Sequence, residues 1–155
     1  MYPYFQKHTD IPLHAAESPA DPVRSFLSEN TAFGTLLFQV TGGQGAFPIP
    51  DATVQVTEKL NDRLSLSFLL TTDESGKTVP LSLPAPDRSR SLSPNQGNAY
   101  AAYEAVITAK NHVPVFIRNL PVFDGITTIQ PVSLSPDFGQ PPDAAEEITD
   151  KEPDL

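Results

Sequence analysis

The clearest pattern in the chain is an alternation of apolar and polar residues between positions 33 and 135. In "ATVQVTEKL" (52–60), alanine and valine alternate with threonine and glutamine, and "LSLSFLLTT" (64–72) repeats the same period of two. Successive side chains of a β-strand point to opposite faces, so both segments are predicted to be strands with one buried face. The same criteria predict further strands at 34–40, 77–83, 100–110, 113–120 and 126–134.

Seven predicted strands joined by short loops indicate one all-β domain over residues 32–136. The simplest arrangement is a seven-stranded antiparallel β-sandwich, in which two sheets bury their apolar faces against each other. Segment 100–110 also has the alanine and glutamate content of a helix. We favour a strand there, with Tyr103, Ala105 and Ile107 between the sheets. These residues alternate with Glu104, Val106 and Thr108.

The segment Asp73–Gly76 is predicted to be a tight turn between two strands. Aspartate can accept hydrogen bonds from the backbone that follows it, and glycine can adopt a positive φ. The triplet Gly-Lys-Thr at 76–78 also ends a phosphate-binding loop, but that loop requires a glycine at position 71, which is threonine. It also requires a helix after the triplet, and three prolines between 80 and 86 exclude one. We therefore predict a turn and no nucleotide.

The first 31 residues are predicted to form an N-terminal arm that contains a short helix. Asp21 and Pro22 fit the N-cap and the first helical position, and Val23, Phe26 and Leu27 then lie on one side of about two turns. The aromatic start "MYPYF" leaves two alternatives open, a disordered segment or an arm that packs on its own domain or on a neighbour.

The last 19 residues, 137–155, are predicted to form a disordered acidic tail. They contain seven acidic residues and one lysine, and their large apolar residues are Phe138, Ile148 and Leu155. Ordering this segment costs about 1–2 kcal/mol per residue in backbone entropy, which exceeds what burying three large side chains returns. Its expected role is solubility, and the alternative is a tail that a partner recognises specifically.

Charge and composition exclude several classes of function. The formal net charge is −9, of which the tail contributes −6 and residues 32–136, with eight acidic and seven basic residues, only −1. No basic face is therefore expected for nucleic acid or anionic lipid. The apolar runs are too short to span a membrane, and the N-terminus lacks the pattern of a secretory signal, so we expect synthesis in the cytoplasm.

The residues that could support chemistry are scattered. His8, His14 and His112 are far apart in the chain, which contains no cysteine, so no metal site is predicted. No serine lies in a nucleophile motif, and Glu104 is expected to face solvent. The remaining acidic residues considered fall in predicted loops or turns: Asp51, Asp62, Asp73, Glu74, Asp87 and Asp124. We predict no catalytic residue and no cofactor.

Several segments in order resemble a known family. "IPDATVQV", "TTDESGKTVPLSLPAP" and the tyrosine strand "YAAYEAVITAK" are similar to the carboxypeptidase regulatory-like domains, which are prealbumin-like (transthyretin-like) β-sandwiches. "LPAPD" at 83–87 makes the chain most similar to the N-terminal domain of clostridial spore cortex-lytic enzymes. Those enzymes continue into a catalytic region, which has no counterpart in the matched segments. The resemblance therefore implies a non-catalytic module associated with bacterial spore or cell-wall proteins.

These observations predict a non-enzymatic module that binds another protein or a cell-wall component. The candidate contact residues are Arg88 and Arg90 in the proline-rich loop 84–94, and Phe123 and Asp124 in the loop 119–125. Proline-rich segments also cover sheet edges, which is the alternative role for the first loop.

A second hypothesis is a carbohydrate- or peptidoglycan-binding module. It requires Tyr100, Tyr103 and Phe116 to form one exposed platform of stacked rings, so it fails if these rings point into the core.

Overall fold

The computed structural model describes residues 21–95, 97–139 and 145–150. Within these ranges, helix α1 (Pro22–Glu29) precedes the strands, and a 3-10 helix (Arg88–Leu92) lies between β5 and β6. The strands are β1 (Ala32–Gly42), β2 (Phe47–Pro48), β3 (Thr53–Lys59), β4 (Ser65–Thr71), β5 (Leu81–Ala85), β6 (Ala101–Thr108), β7 (Val115–Val122), β8 (Thr127–Leu134) and β9 (Glu146–Thr149). No helix in these ranges is long and apolar enough to cross a membrane.

Two sheets form a β-sandwich. In the first sheet, β1 pairs with β5 and β2 along one edge and with β8 along the other. The second sheet has the order β4-β3-β6-β7-β9. The alternation in the sequence accounts for this arrangement, because buried residues alternate with more exposed ones along β1, β3, β6 and β7, with one break in β7 between Ile117 and Leu120.

The core confirms the predicted orientation of segment 100–110. Tyr103 and Ile107 are fully buried and Ala105 is 1% exposed, whereas Glu104 and Thr108 face solvent. The largest other fully buried side chains are Phe38, Leu36, Leu83, Ile117, Leu120 and Leu134. The segment is therefore a central strand of the sandwich.

The predicted strand count and purely antiparallel character are wrong in detail. The described residues contain nine strands, and two of the pairings, β1 with β8 and β7 with β9, are parallel. The predicted strand 77–83 is also shifted, because β5 begins only at Leu81. Thr78 does pair with Phe38 of β1, through its backbone N–H at 3.0 Å, but Pro80 has no N–H and interrupts the strand.

The predicted turn and helix are confirmed. Asp73 Oδ1 accepts hydrogen bonds from the backbone N–H groups of Ser75 (2.9 Å) and Lys77 (3.0 Å), and Gly76 has a φ of 78°. The Ser75 hydroxyl also donates to Asp73 Oδ1, at 2.7 Å, and this bond, followed by the backbone bonds, lowers the pKa of Asp73. Asp21 caps α1 by accepting from the Val23 N–H at 3.0 Å.

The prediction of a disordered tail is wrong for Glu146–Thr149, which form β9. The entropy comparison considered only the burial of side chains, and all four residues of β9 are indeed exposed. They are ordered by pairing with the outer edge of β7, because their backbone groups form hydrogen bonds with that edge. The arm at 1–20 and the tail residues 140–144 and 151–155 lie outside the described residues, so the domain boundaries stay predictions.

Candidate functional site

Three of the four predicted contact residues meet at one end of the sandwich. The backbone N–H of Arg88 donates to Asp124 Oδ2 at 3.0 Å, and its guanidinium Nε lies 3.4 Å from the same oxygen. Phe123 lies beside this pair and contacts the ring of Tyr100, with ring centroids 5.5 Å apart. Together they line a groove of about 300 Å³, with Ser91, Ala99 and Ile126.

Local sequence explains how the two loops meet. Asp87 begins the 3-10 helix by accepting a hydrogen bond from the Ser89 N–H at 2.8 Å, and hydrogen bonding by Ser89 lowers the pKa of Asp87. Gly125 has a φ of 70°, and a Cβ at this position would lie 2.6 Å from Arg88 Nη2. Glycine at 125 therefore allows the guanidinium of Arg88 to cross the opposing loop.

Arg90 does not join this groove but lines an adjacent pocket of about 540 Å³. The pocket opens at the same end of the sandwich, between the C-terminal end of α1, the end of β3 and the start of β6. Its other lining side chains include Phe26, Glu29, Asn30, Glu58 and Tyr100.

Glu58 is the most strongly perturbed carboxyl among those with a resolved shift, and the sequence interpretation missed it. Burial, with a smaller contribution from the negative charge of Glu104, raises the pKa of Glu58 to about 7. The signal was present in the alternation, because Val54, Val56 and Glu58 occupy every second position of β3 and therefore share its inward face.

Tyr103 lies next to Glu58 inside the sandwich. Its hydroxyl donates to the carbonyl oxygen of Pro84 at 2.6 Å, and the ring of Phe26 packs edge-on against it at 6.4 Å between centroids. Burial, followed by the charge of Glu58, raises the pKa of Tyr103. The contact with Phe26 attaches α1 to the core.

The predicted platform of stacked rings is not formed. Tyr100 is 6% exposed and Tyr103 is fully buried, while Phe116 is 39% exposed and points away from the core. The alternation of faces along each strand separates Tyr103 from Phe116, since the two belong to opposite faces of one sheet. The carbohydrate-binding hypothesis loses the residues on which it was based.

The other candidate groups do not gather into a site. His112 Nδ1 lies 2.8 Å from the carbonyl oxygen of Lys110, within its own loop. His8 and His14 lie outside the described residues. Within the part of the chain that is described, no group of three or more His, Asp or Glu side chains could hold a metal ion.

Comparison with known proteins gives distant matches to solved structures. No family model matches the chain, and no curated protein does. It is similar to the Bacillus anthracis TIE protein, with 15% identity and a TM-score of 0.44 over 68% of this chain and 17% of that one. GBS52, the minor pilin of Streptococcus agalactiae, shows 14% identity and a TM-score of 0.46 over 71% of this chain and 47% of that one.

A third match is catechol 1,2-dioxygenase from Acinetobacter sp. ADP1, with 13% identity and a TM-score of 0.46 over 76% of this chain and 58% of that one. The chain thus spans less than two thirds of the length of each of these structures. Similarity at this level carries no argument about activity or partners. The class of the fold follows from the strand pairing itself: the chain is a two-sheet β-sandwich of mixed strand direction.

Proposed function

We propose that this chain is a non-enzymatic interaction module whose contact surface lies at the loop end of the sandwich. The loop-end surface consists of Arg88, Leu92, Phe123, Asp124 and Ile126. The observation that carries the proposal is the groove between the two loops, together with the exposed apolar side chains at and beside it. Ile126, which lines the groove, is 53% exposed, and Leu92, in a neighbouring pocket that shares Ser91 and Ala99 with the groove, is 82% exposed.

The geometry supports this role in two ways. Clusters of exposed apolar residues bordered by charged groups are typical of protein contact surfaces. The bonds between Arg88 and Asp124 also hold the two loops together before any partner arrives, which lowers the ordering cost of binding. Arg90, in the neighbouring pocket, extends the charged border of the surface.

The non-enzymatic part of the proposal concerns Glu58. A carboxyl with a pKa near neutral pH is a candidate for acid–base catalysis. In this chain the raised pKa has a structural cause, because Glu58 continues the buried valine positions of β3 at the end of the core. We therefore assign Glu58 to the core rather than to a reaction.

The finer identity of the module and its partner class are also proposals. The motif "LPAPD" and the tyrosine strand support a prealbumin-like domain of the carboxypeptidase regulatory-like type. The same resemblance supports a partner among bacterial spore or cell-wall proteins. Both rest on family resemblance, so they are open to direct test.

The test is chemical cross-linking of the full chain to proteins of a bacterial spore or cell-wall extract, followed by mass spectrometry. Leu92→Asp should abolish the cross-linked species, because it places a charge at the most exposed apolar residue of the surface. Leu69→Asp is the matched control, since Leu69 is 70% exposed on β4, away from the loops. Equal loss with both variants, or no saturable species with the original chain, would contradict the proposed surface.

A further inference from the structure

The four residues of β9 are attached to the sandwich only at its edge. They pair in parallel with β7, in the register Val115 with Glu146 through Arg118 with Thr149. All four are exposed, and their one large apolar side chain, Ile148, is 37% exposed. None of its side chains is buried, so β9 contributes little to the core. It is attached by contacts along β7 and by one hydrogen bond from the Ser135 hydroxyl to Glu146 Oε1 at 2.9 Å.

Those contacts are backbone hydrogen bonds and exposed polar pairs. The N–H of Glu146 donates to the carbonyl of Pro114 at 3.0 Å, and that of Asp150 to the carbonyl of Arg118 at 3.1 Å. Arg118 Nε lies 3.0 Å from Glu147 Oε1, with the two side chains 56% and 55% exposed. Exposed ion pairs contribute at most about 1 kcal/mol each, so β9 is held weakly compared with the inner strands.

The accepting edge of β7 has a defined length. Between Tyr103 and Ala105 of β6 the pairing with β7 shifts by one residue, which marks a β-bulge on β7 at Arg118 and Asn119. Asn119 has a φ of 58°, and its side-chain amide reaches the carbonyl of Asp150 at 3.4 Å. The bulge ends the regular pairing of β7 with β9. The edge of β7 therefore accepts a segment of about four residues, and Arg118 is the cation that faces this segment.

We propose that this edge of β7 is a docking site for an extended acidic segment of another protein, and that β9 occupies the site from within the chain. Strand addition to a free sheet edge is a common mode of peptide recognition, in which the backbone gives affinity and side-chain contacts give specificity. The segment in place shows the chemistry that the edge accepts, a carboxylate for Arg118 followed by an apolar residue beside Ile117. This surface is separate from the loop-end surface and does not depend on it.

A second copy of the chain is a weaker occupant than a partner protein. Its β9 would offer identical contacts, while the chain's own β9 is tethered and present at an effective concentration of about millimolar. A segment from another protein can match the edge better and displace β9. The site is therefore available in proportion to the fraction of molecules whose β9 has left β7.

The test uses full-length variants that release β9. In a parallel pair, alternate residues donate to the same neighbour, so the N–H of residue 148 faces β7, as those of Glu146 and Asp150 do. Ile148→Pro removes this donor and should detach β9, whereas Thr149→Pro, whose lost N–H faces solvent, should keep it. Both variants should fold, because β9 has no fully buried side chain.

Binding is measured by fluorescence anisotropy with a labelled peptide of sequence AEEITD, corresponding to residues 145–150. The Ile148→Pro variant should bind this peptide about tenfold or more tightly than the original chain and the Thr149→Pro control do. The charge-reversed peptide AKKITD should not bind, and adding Arg118→Glu should reverse the preference between the two peptides. If Ile148→Pro does not fold, Glu147→Lys serves in its place, because it repels Arg118.

Three results would overturn the proposal. One is an equal affinity of the Ile148→Pro and original chains for AEEITD. Another is equal binding of both peptides, which would show that the edge does not read charge. The third is dimerisation of the original chain at micromolar concentration with loss of the dimer in Ile148→Pro, which would assign the site to a second copy of the chain.

Discussion

Replacing Glu58 by glutamine should stabilise the protein at neutral pH and leave it unchanged in acid. Glutamine keeps the shape of the protonated carboxyl and carries no charge. In the folded chain, burial and the charge of Glu104 raise the pKa of Glu58 from its usual 4.5 to about 7. Protonation of Glu58 therefore favours the folded state, and ionisation opposes it.

The sign and size of the effect follow from these two values. The stability contributed by Glu58 is fully present below pH 4.5 and is lost as the pH rises through 7, after which the loss is constant. The difference between these two pKa values corresponds to about 3 kcal/mol before any allowance for solvent, at about 1.4 kcal/mol for each tenfold change in proton affinity. Because Glu58 is only partly buried, solvent screening reduces the expected loss to about 1–2 kcal/mol.

The assay is urea unfolding of both chains at several pH values between 4 and 8. The difference in free energy of unfolding between Glu58→Gln and the original chain should be near zero at pH 4 and grow to its plateau above pH 7. Glu74→Gln, an exposed position in the turn before Gly76, controls for the general loss of a negative charge. A difference that is independent of pH, or one that favours the original chain at pH 8, would refute the assignment of a buried carboxyl.

Further predictions concern the core and the turn. Ile107→Ala should lower the free energy of unfolding by about 2–5 kcal/mol, and Thr108→Ala, on the opposite face, by well under about 1 kcal/mol, both measured by urea titration. Gly76→Ala should cost about 1–3 kcal/mol in the same assay, because the positive φ strains any Cβ and the added carbon would overlap a carbonyl oxygen of β1. Tyr103→Phe should lower the melting temperature through a loss of about 1–2 kcal/mol, since it removes a buried hydrogen bond of 2.6 Å.

The alternation of apolar and polar residues predicted most of the strands, because the face that a side chain occupies depends only on its position within its own strand. Tyr103 and Ile107 share a face in any strand that contains them, and their burial needed no knowledge of the partner strands. The direction of pairing is different. Whether β8 runs parallel or antiparallel to β1 depends on the path of the chain between them, which no local pattern encodes.

The candidate site was only partly predictable for the same reason. The contact between Arg88 and Asp124 joins loops 36 positions apart, and composition could only mark both loops as exposed. The inward orientation of Glu58 could have been predicted from its position two residues after Val56, but acidic residues are usually exposed and Glu58 was not considered. The strand β9 was missed because it is stabilised by backbone hydrogen bonds to the edge of β7, and the composition of the tail does not reveal such an edge.

The parallel pair of β1 and β8 also has a consequence for how the chain acquires its structure. β1 lies in the middle of its sheet, and its partner β8 is separated from it in the chain by the six strands β2 to β7. Contacts between segments so distant in sequence carry a large loop-closure entropy before they return any energy, so folding is expected to be slow, on a timescale of about milliseconds to seconds. Until that step, one edge of β1 is unpaired and able to join a strand of another molecule, so a chain that has not yet paired β8 is prone to aggregate.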